Sequence, residues 1–168
     1  MRLFIAIRLS DEIKAGLSSV QSFLKNHGVR GNFTKLENLH LTLAFIGEYA
    51  DPERVLDAMR SIPFEPFQIR LEGFGSFGAL YWCGIGENNG LSAYVKRLRR
   101  ALAENGIPFD RKKFSPHITL IRKASFDRNR GFPGVTVPDA SMEADRVSLM
   151  RSDRAKSGMV YTEIGRVQ

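Results

Sequence analysis

His40-Leu41-Thr42-Leu43 returns 77 residues later as His117-Ile118-Thr119-Leu120. Each copy sits in an apolar run, residues 39–46 (LHLTLAFI) and 115–121 (SPHITLI). Runs of that length and make-up form strands. Residues two apart on a strand face the same way, so each His shares a face with its Thr, about 6–7 Å along. The Leu and Ile residues between them face a core.

The surroundings repeat as well. Residues 2–7 (RLFIAI) and 80–85 (LYWCGI) read as buried strands, and Leu3 to His40 spans the same 37 residues as Leu80 to His117. Between strand and motif lies a helix in both halves. Ile13, Leu17, Val20 and Leu24 step by 4, 3 and 4; so do Leu91, Val95, Leu98 and Leu102. Ser10 caps the first helix, and Gly28 and Gly106 end the two. Asp51-Pro52 opens a short further helix. Residues 67–72 and 143–149 read as the strand that follows each motif. Residues 125–141 read as loop, and 144–150 and 159–164 as closing strands. The expected fold is α+β: a single bilobal domain over 1–168, with approximate repeats 1–78 and 79–168. Antiparallel sheets flanked by helices would face each other across a central groove.

Composition narrows the class. The 168 residues carry 25 basic and 18 acidic side chains, a net charge of +7. Residues 1–84 balance at 9 of each, so the whole excess lies in 85–168. Such asymmetry points to a polyanionic partner, nucleic acid first. One cysteine, Cys83, permits no internal disulfide and no zinc cluster. The apolar run at residues 3–7 is too short for a signal peptide or a membrane span. A cytoplasmic monomer that does not engage membranes is expected. Residues 73–78 match the letters G-x-G-x-x-G, but a strand follows them. They read as a strand-to-strand turn and not as a dinucleotide loop.

Two imidazoles facing each other suit phosphoester chemistry. One, neutral, takes a proton from an attacking water; the other, protonated, gives one to a leaving oxygen. An unperturbed pKa of about 6.5 allows both states near neutrality. Thr42 and Thr119 can donate to phosphate oxygens. Neither a metal nor another cofactor is required. The third histidine, His27, falls at a helix end and reads as a capping or surface residue. Lys96-Arg97-Leu98-Arg99-Arg100 reads mainly as a solvated helix face. Arg111-Lys112-Lys113 lies just before the second motif, where it can meet a nucleic-acid backbone. Arg128, Arg130, Arg151, Arg154 and Lys156 are candidates for the groove mouth. Phe4, Phe45, Tyr81 and Trp82 are candidates for base stacking.

The stretches from His40 to Glu48 (HLTLAFIGE) and from Ser115 to Arg122 (SPHITLIR) resemble the two signature motifs of the 2H phosphoesterases. Residues 2–7 and the Tyr81-Trp82-Cys83-Gly84 strand narrow the likeness to the RNA 2′,3′-cyclic phosphodiesterases, also called 2′-5′ RNA ligases. The resemblance implies a bilobal fold and metal-free hydrolysis of a 2′,3′-cyclic phosphate on RNA ends or nucleotides to a 2′-phosphate. It also implies reversible, ATP-independent 2′-5′ joining of RNA ends. It assigns His40 and His117 to catalysis and Thr42, Thr119 and Arg122 to the phosphate. Simple alternation puts Arg122 on the face opposite His117, so it reaches the groove only through a twist, strand end or bulge. The first motif has Ile46-Gly47 where a symmetric Arg would be sought. The working assignment is His40 as acid to O3′ and His117 as base to water, and the near-symmetry leaves the reverse open. Two alternatives stand beside hydrolysis: an RNA-end binding module with little turnover, and a phosphoesterase for another cyclic or 2′-5′-linked nucleotide.

Overall fold

Five consecutive apolar residues make β1: Leu3 to Ile7 are all buried within the strand Arg2–Arg8. A computed structural model describes all 168 residues. The chain continues through α1 (Asp11–Asn26), β2 (Arg30–Phe33), a 3₁₀ turn (Leu36–Asn38), β3 (His40–Glu48), α2 (Pro52–Arg60) and β4 (Phe67–Phe77). There follow β5 (Leu80–Ile85), α3 (Asn89–Glu104), β6 (His117–Ser125), β7 (Ser141–Ala144), β8 (Val147–Ala155) and β9 (Gly158–Val167).

The helices begin and end where the side chains dictate. The Ser10 hydroxyl accepts from the Ile13 N–H at 3.2 Å, and the Asn88 amide oxygen from the Leu91 N–H at 3.0 Å. These bonds satisfy N–H groups that have no partner inside a helix. Asp51 does the same for α2 through the Arg54 N–H at 3.2 Å. Beyond α1 and α3 the chain turns at Gly28 (φ 83°) and Gly106 (φ 67°), a region glycine enters without penalty. The apolar stripes of both long helices are buried as their spacing predicts.

Two antiparallel sheets result, ordered β3-β1-β8-β9 and β2-β6-β5-β4-β7. The two halves of the chain are not the two lobes. β2 and β4 of the first half lie in the sheet of β5 and β6, and β8 and β9 of the second half lie with β1 and β3. The link between β4 and β5 explains the exchange. Phe77 pairs with Leu80 across a two-residue turn, Gly78-Ala79, which ties β4 to the strand that follows it. The helices cross over too: α1 packs on β2, β6 and β7, whereas α3 packs on β3 and α2. One large apolar core joins both sheets and the three helices, and Phe4, Ala6 and Met150 form a small separate cluster on the other face of the first sheet.

Residues 73–78 are not the tight turn expected from their glycines. β4 runs on to Phe77 with a bulge between Leu71 and Phe74, where Gly73 takes φ 84°. Gly75 lies under the Trp82 ring, which would stand 2.5 Å from a Cβ there. β2 is a strand the sequence did not announce: Arg-Gly-Asn-Phe has little β preference and pairs only because β6 offers it an edge. Cys83 is fully buried, and burial pushes its thiol up to about 12, leaving it unreactive.

Candidate active site

Both motif strands change phase just after the threonine. In β3, Ala6 pairs with Thr42 and Ile5 with Ala44, so Leu43 is an extra residue; Leu43 and Ala44 are both buried. In β6, Trp82 pairs with Thr119 and Tyr81 with Ile121, so Leu120 is extra; Leu120 and Ile121 are both buried. A bulge of this kind returns the following side chain to the face it would otherwise leave. Arg122 thereby reaches the groove with His117 and Thr119. Its counterpart in the first lobe is Phe45, five residues after His40, and not Ile46-Gly47. Phe45 also lines the groove.

Each imidazole is held by the carbonyl two residues before it. His40 Nδ1 lies 2.7 Å from Asn38 O, and His117 Nδ1 lies 2.7 Å from Ser115 O. A carbonyl only accepts, so Nδ1 carries the proton in both rings and Nε2 is left for chemistry. His40 Nε2 lies 2.9 Å from the Thr42 hydroxyl, which donates to it. Each ring also meets an aromatic edge-on: Tyr161 at 5.3 Å for His40 and Phe77 at 5.1 Å for His117. Phe4 packs 4.9 Å from His40.

Burial holds the pKa of His40 below the usual value, against the hydrogen bond to Asn38 that raises it; the nearby charges of Arg122 and His117 push it further down. A histidine that is neutral when folded costs stability once protonated. Its contribution is complete above the unfolded value of about 6.5 and is lost as pH falls through the lower folded value. Urea titrations at pH 8 and pH 5 should therefore show a larger loss for wild type than for His40→Gln. An equal loss would mean that His40 titrates as in water.

The two motifs line one groove of about 610 Å³ with residues from both sheets. Four basic side chains face it, Arg99, Lys112, Lys113 and Arg122, against one carboxylate, Asp110. Lys112 and Lys113 are there because the segment before β6 lies along β3, with the Asp110 N–H donating to Phe45 O at 2.8 Å. Their neighbour Arg111 covers the Phe109 ring at 4.6 Å instead. Arg128, Arg130, Arg151, Arg154 and Lys156 are not part of the wall. Lys96, Arg97 and Arg100 are exposed on α3, as a solvated face requires, but Arg99 turns inward. Arg99, Tyr161, Phe77 and Asn38 are among the wall residues that motif reading missed. Tyr81 stacks on Phe132 at 4.3 Å, Trp82 packs at a tilt against Phe77 at 5.4 Å, and neither belongs to the wall. His27 is the C-cap of α1, its Nδ1 2.8 Å from Phe23 O.

Residues 9–156 match the family model of the 2′-5′ RNA ligase superfamily. The chain belongs to that superfamily. Among its relatives, an RNA 2′,3′-cyclic phosphodiesterase of Escherichia coli is 31% identical over 98% of this chain and 94% of its own. One from Thermotoga maritima is 28% identical over 96% and 91%. The crystal structure of E. coli LigT in apo form superposes with a TM-score of 0.81 at 29% identity, covering 99% of this chain and 95% of that one. LigT has also been crystallised with 3′-AMP and with ATP. This superfamily member thus shares with LigT the whole α+β architecture, and no helix in it is long and apolar enough to cross a membrane.

Proposed function

We propose that the protein hydrolyses the 2′,3′-cyclic phosphate at an RNA end, or on a nucleotide, to a 2′-phosphate, with His40 and His117 as its acid and base. The observation that carries this reading is the matched pair of imidazoles. Both have Nδ1 engaged by a carbonyl and both line one groove with two threonines and Arg122. Water attacks phosphorus, the bond from phosphorus to O3′ breaks, and O3′ leaves with a proton. His117, partly exposed, takes the proton of the attacking water. His40, shielded by Phe4 and Tyr161, gives a proton to O3′. Arg122 and the threonine hydroxyls hold the non-bridging oxygens. Protonating His40 reverses its bond to Thr42: Nε2–H now donates, and the threonine hydroxyl is released to the phosphate. Attack by an RNA 5′-hydroxyl in place of water would form a 2′-5′ linkage without ATP. One chain supplies every group, so a monomer suffices.

Incubating the protein with a nucleoside 2′,3′-cyclic phosphate in EDTA tests the reading. A 2′-phosphate product supports it. Folded protein with no turnover on mononucleotide or RNA would make this a binding module, and a 3′-phosphate would overturn the direction of cleavage. The pH dependence carries a further expectation. His40 must be protonated to act as acid, yet burial favours its neutral form in the free enzyme. The anionic substrate offsets this. The alkaline limb of kcat should therefore lie at higher pH than that of kcat/KM. Coincident limbs would remove His40 from the acid role.

A further inference from the structure

α1 and α3 do the same work in opposite lobes. Gln21 on α1 donates from Nε2 to Thr34 O and to Leu120 O, both at 2.9 Å. Seventy-eight residues later, Arg99 on α3 donates from Nη1 to Lys112 O at 2.7 Å, and its Nη2 lies 3.4 Å from Leu43 O. Thr34 and Lys112 are also 78 residues apart, and Leu120 and Leu43 are the two bulge residues. An amide thus holds one bulge and a guanidinium the other, although two carbonyls need no charge.

The charge at Arg99 is under-used by the protein. Its Nε is buried without an acceptor, and one of its two bonds is long. No carboxylate stands within ion-pair distance; the nearby Asp110 accepts from the Lys112 N–H at 3.0 Å instead. The guanidinium is flanked by Phe109 and Phe114, at 5.8 and 5.7 Å, and is only half-buried. Lys112 and Lys113, on the segment that Arg99 holds, line the same groove. A partly buried cation with spare donors and two cationic neighbours fits an anion that arrives from outside.

We propose that Arg99, Lys112 and Lys113 form a second anion subsite, which takes a backbone phosphodiester of the RNA chain whose cyclic end lies at the histidines. The inference rests on the phosphoesterase reading for the identity of that end. Arg122 stands at the β6 bulge, whereas the β3 bulge carries Phe45. Arg99 restores a guanidinium to that lobe from the helix behind it. The groove then has one for the terminal phosphate and one for the chain.

Arg99→Gln is the informative variant, because Gln21 shows that a glutamine at this place can hold both carbonyls. Three substrates separate the sources of phosphate: a nucleoside 2′,3′-cyclic phosphate, the same nucleotide with a 5′-phosphate, and an oligonucleotide with the same end. The variant should raise KM for the oligonucleotide about 10-fold more than for the bare nucleoside, one interaction of about 1.4 kcal/mol. It should also lower the salt slope of oligonucleotide binding by about one. Lys112→Gln with Lys113→Gln, which leaves α3 intact, should act in the same direction. Equal losses on all three substrates would place Arg99 at the terminal phosphate, and no loss on any would leave it structural; either overturns the subsite. Anisotropy with a labelled oligonucleotide bearing a 2′-phosphate end reads the subsite without turnover. A wild-type protein that binds the oligonucleotide, loses affinity on Arg99→Gln, and hydrolyses nothing would support the subsite while refuting the hydrolase reading.

Discussion

Replacing His40 or His117 with alanine is expected to lower kcat on a nucleoside 2′,3′-cyclic phosphate by about 10²–10⁴-fold, the worth of a positioned acid or base. The double variant should be little slower than the worse single one, because the groups act on one transition state as a unit. Neither loss should reflect unfolding, since each ring is only partly buried and packs beside the groove. A good leaving group on the 3′ side separates the roles. It needs no proton donor, so it should restore activity to His40→Ala and not to His117→Ala. Rescue confined to His117→Ala would exchange the two assignments. Alanine variants with wild-type rates would move the chemistry out of this groove.

What could be read from the sequence was local. The His-x-Thr pairs, the helical stripes and the caps at Ser10 and Asp51 each depend on neighbours within a few residues. The paired motif also carried the family. What could not be read was the pairing between distant parts. Residues 73–78 read as a turn between two strands, but nothing in residues 67–72 says that this hairpin takes β4 out of the sheet of β1 and β3; the pairing across Gly78-Ala79 decides that. The bulges were also hidden, because LTLAF and ITLIR read as unbroken alternation until Ala44 and Ile121 are seen to be buried. Arg99 was overlooked inside a basic run, with three solvated neighbours. A signal for it existed: the 78-residue offset that matches Ile13 with Leu91 also matches Gln21 with Arg99. Gln21 is a polar residue on a buried stripe.

The exchange of strands also changes what the charge asymmetry means. All seven excess positive charges belong to residues 85–168, which suggests a basic second lobe. Yet α3 and the segment before β6 pack against β3, so Arg99, Lys112 and Lys113 sit at the first lobe's side of the groove. Arg122 alone stands beside the second motif. The part of the excess that lines the groove therefore lies on both of its sides, which suits a strand of RNA lying along it more than a surface contact on one lobe.

Arg122 is where the backbone matters most. Arg122→Ala should lower kcat/KM by about 10²–10³-fold, the effect of removing one donor to a developing charge. Arg122→Lys should recover only part, because an ammonium lacks the planar fork that binds two phosphate oxygens. The position of Arg122 depends on the Leu120 bulge, and Gln21 holds that bulge from behind through Leu120 O. Gln21→Met keeps the volume and removes the donor, leaving Leu120 O and Thr34 O with one partner fewer. Leu120 O still accepts from the Thr34 N–H at 2.9 Å, so the fold should survive with a stability loss of about 1–3 kcal/mol. If Gln21 positions Arg122, the variant should also bind the 2′-phosphate product about 10-fold more weakly, roughly 1.4 kcal/mol. The limbs that report the two histidines should stay where they are. In an Arg122→Ala background Gln21→Met should then add little, as expected for two residues acting through one contact. Lost stability with unchanged product affinity would leave Gln21 a structural residue and Arg122 held by β6 alone.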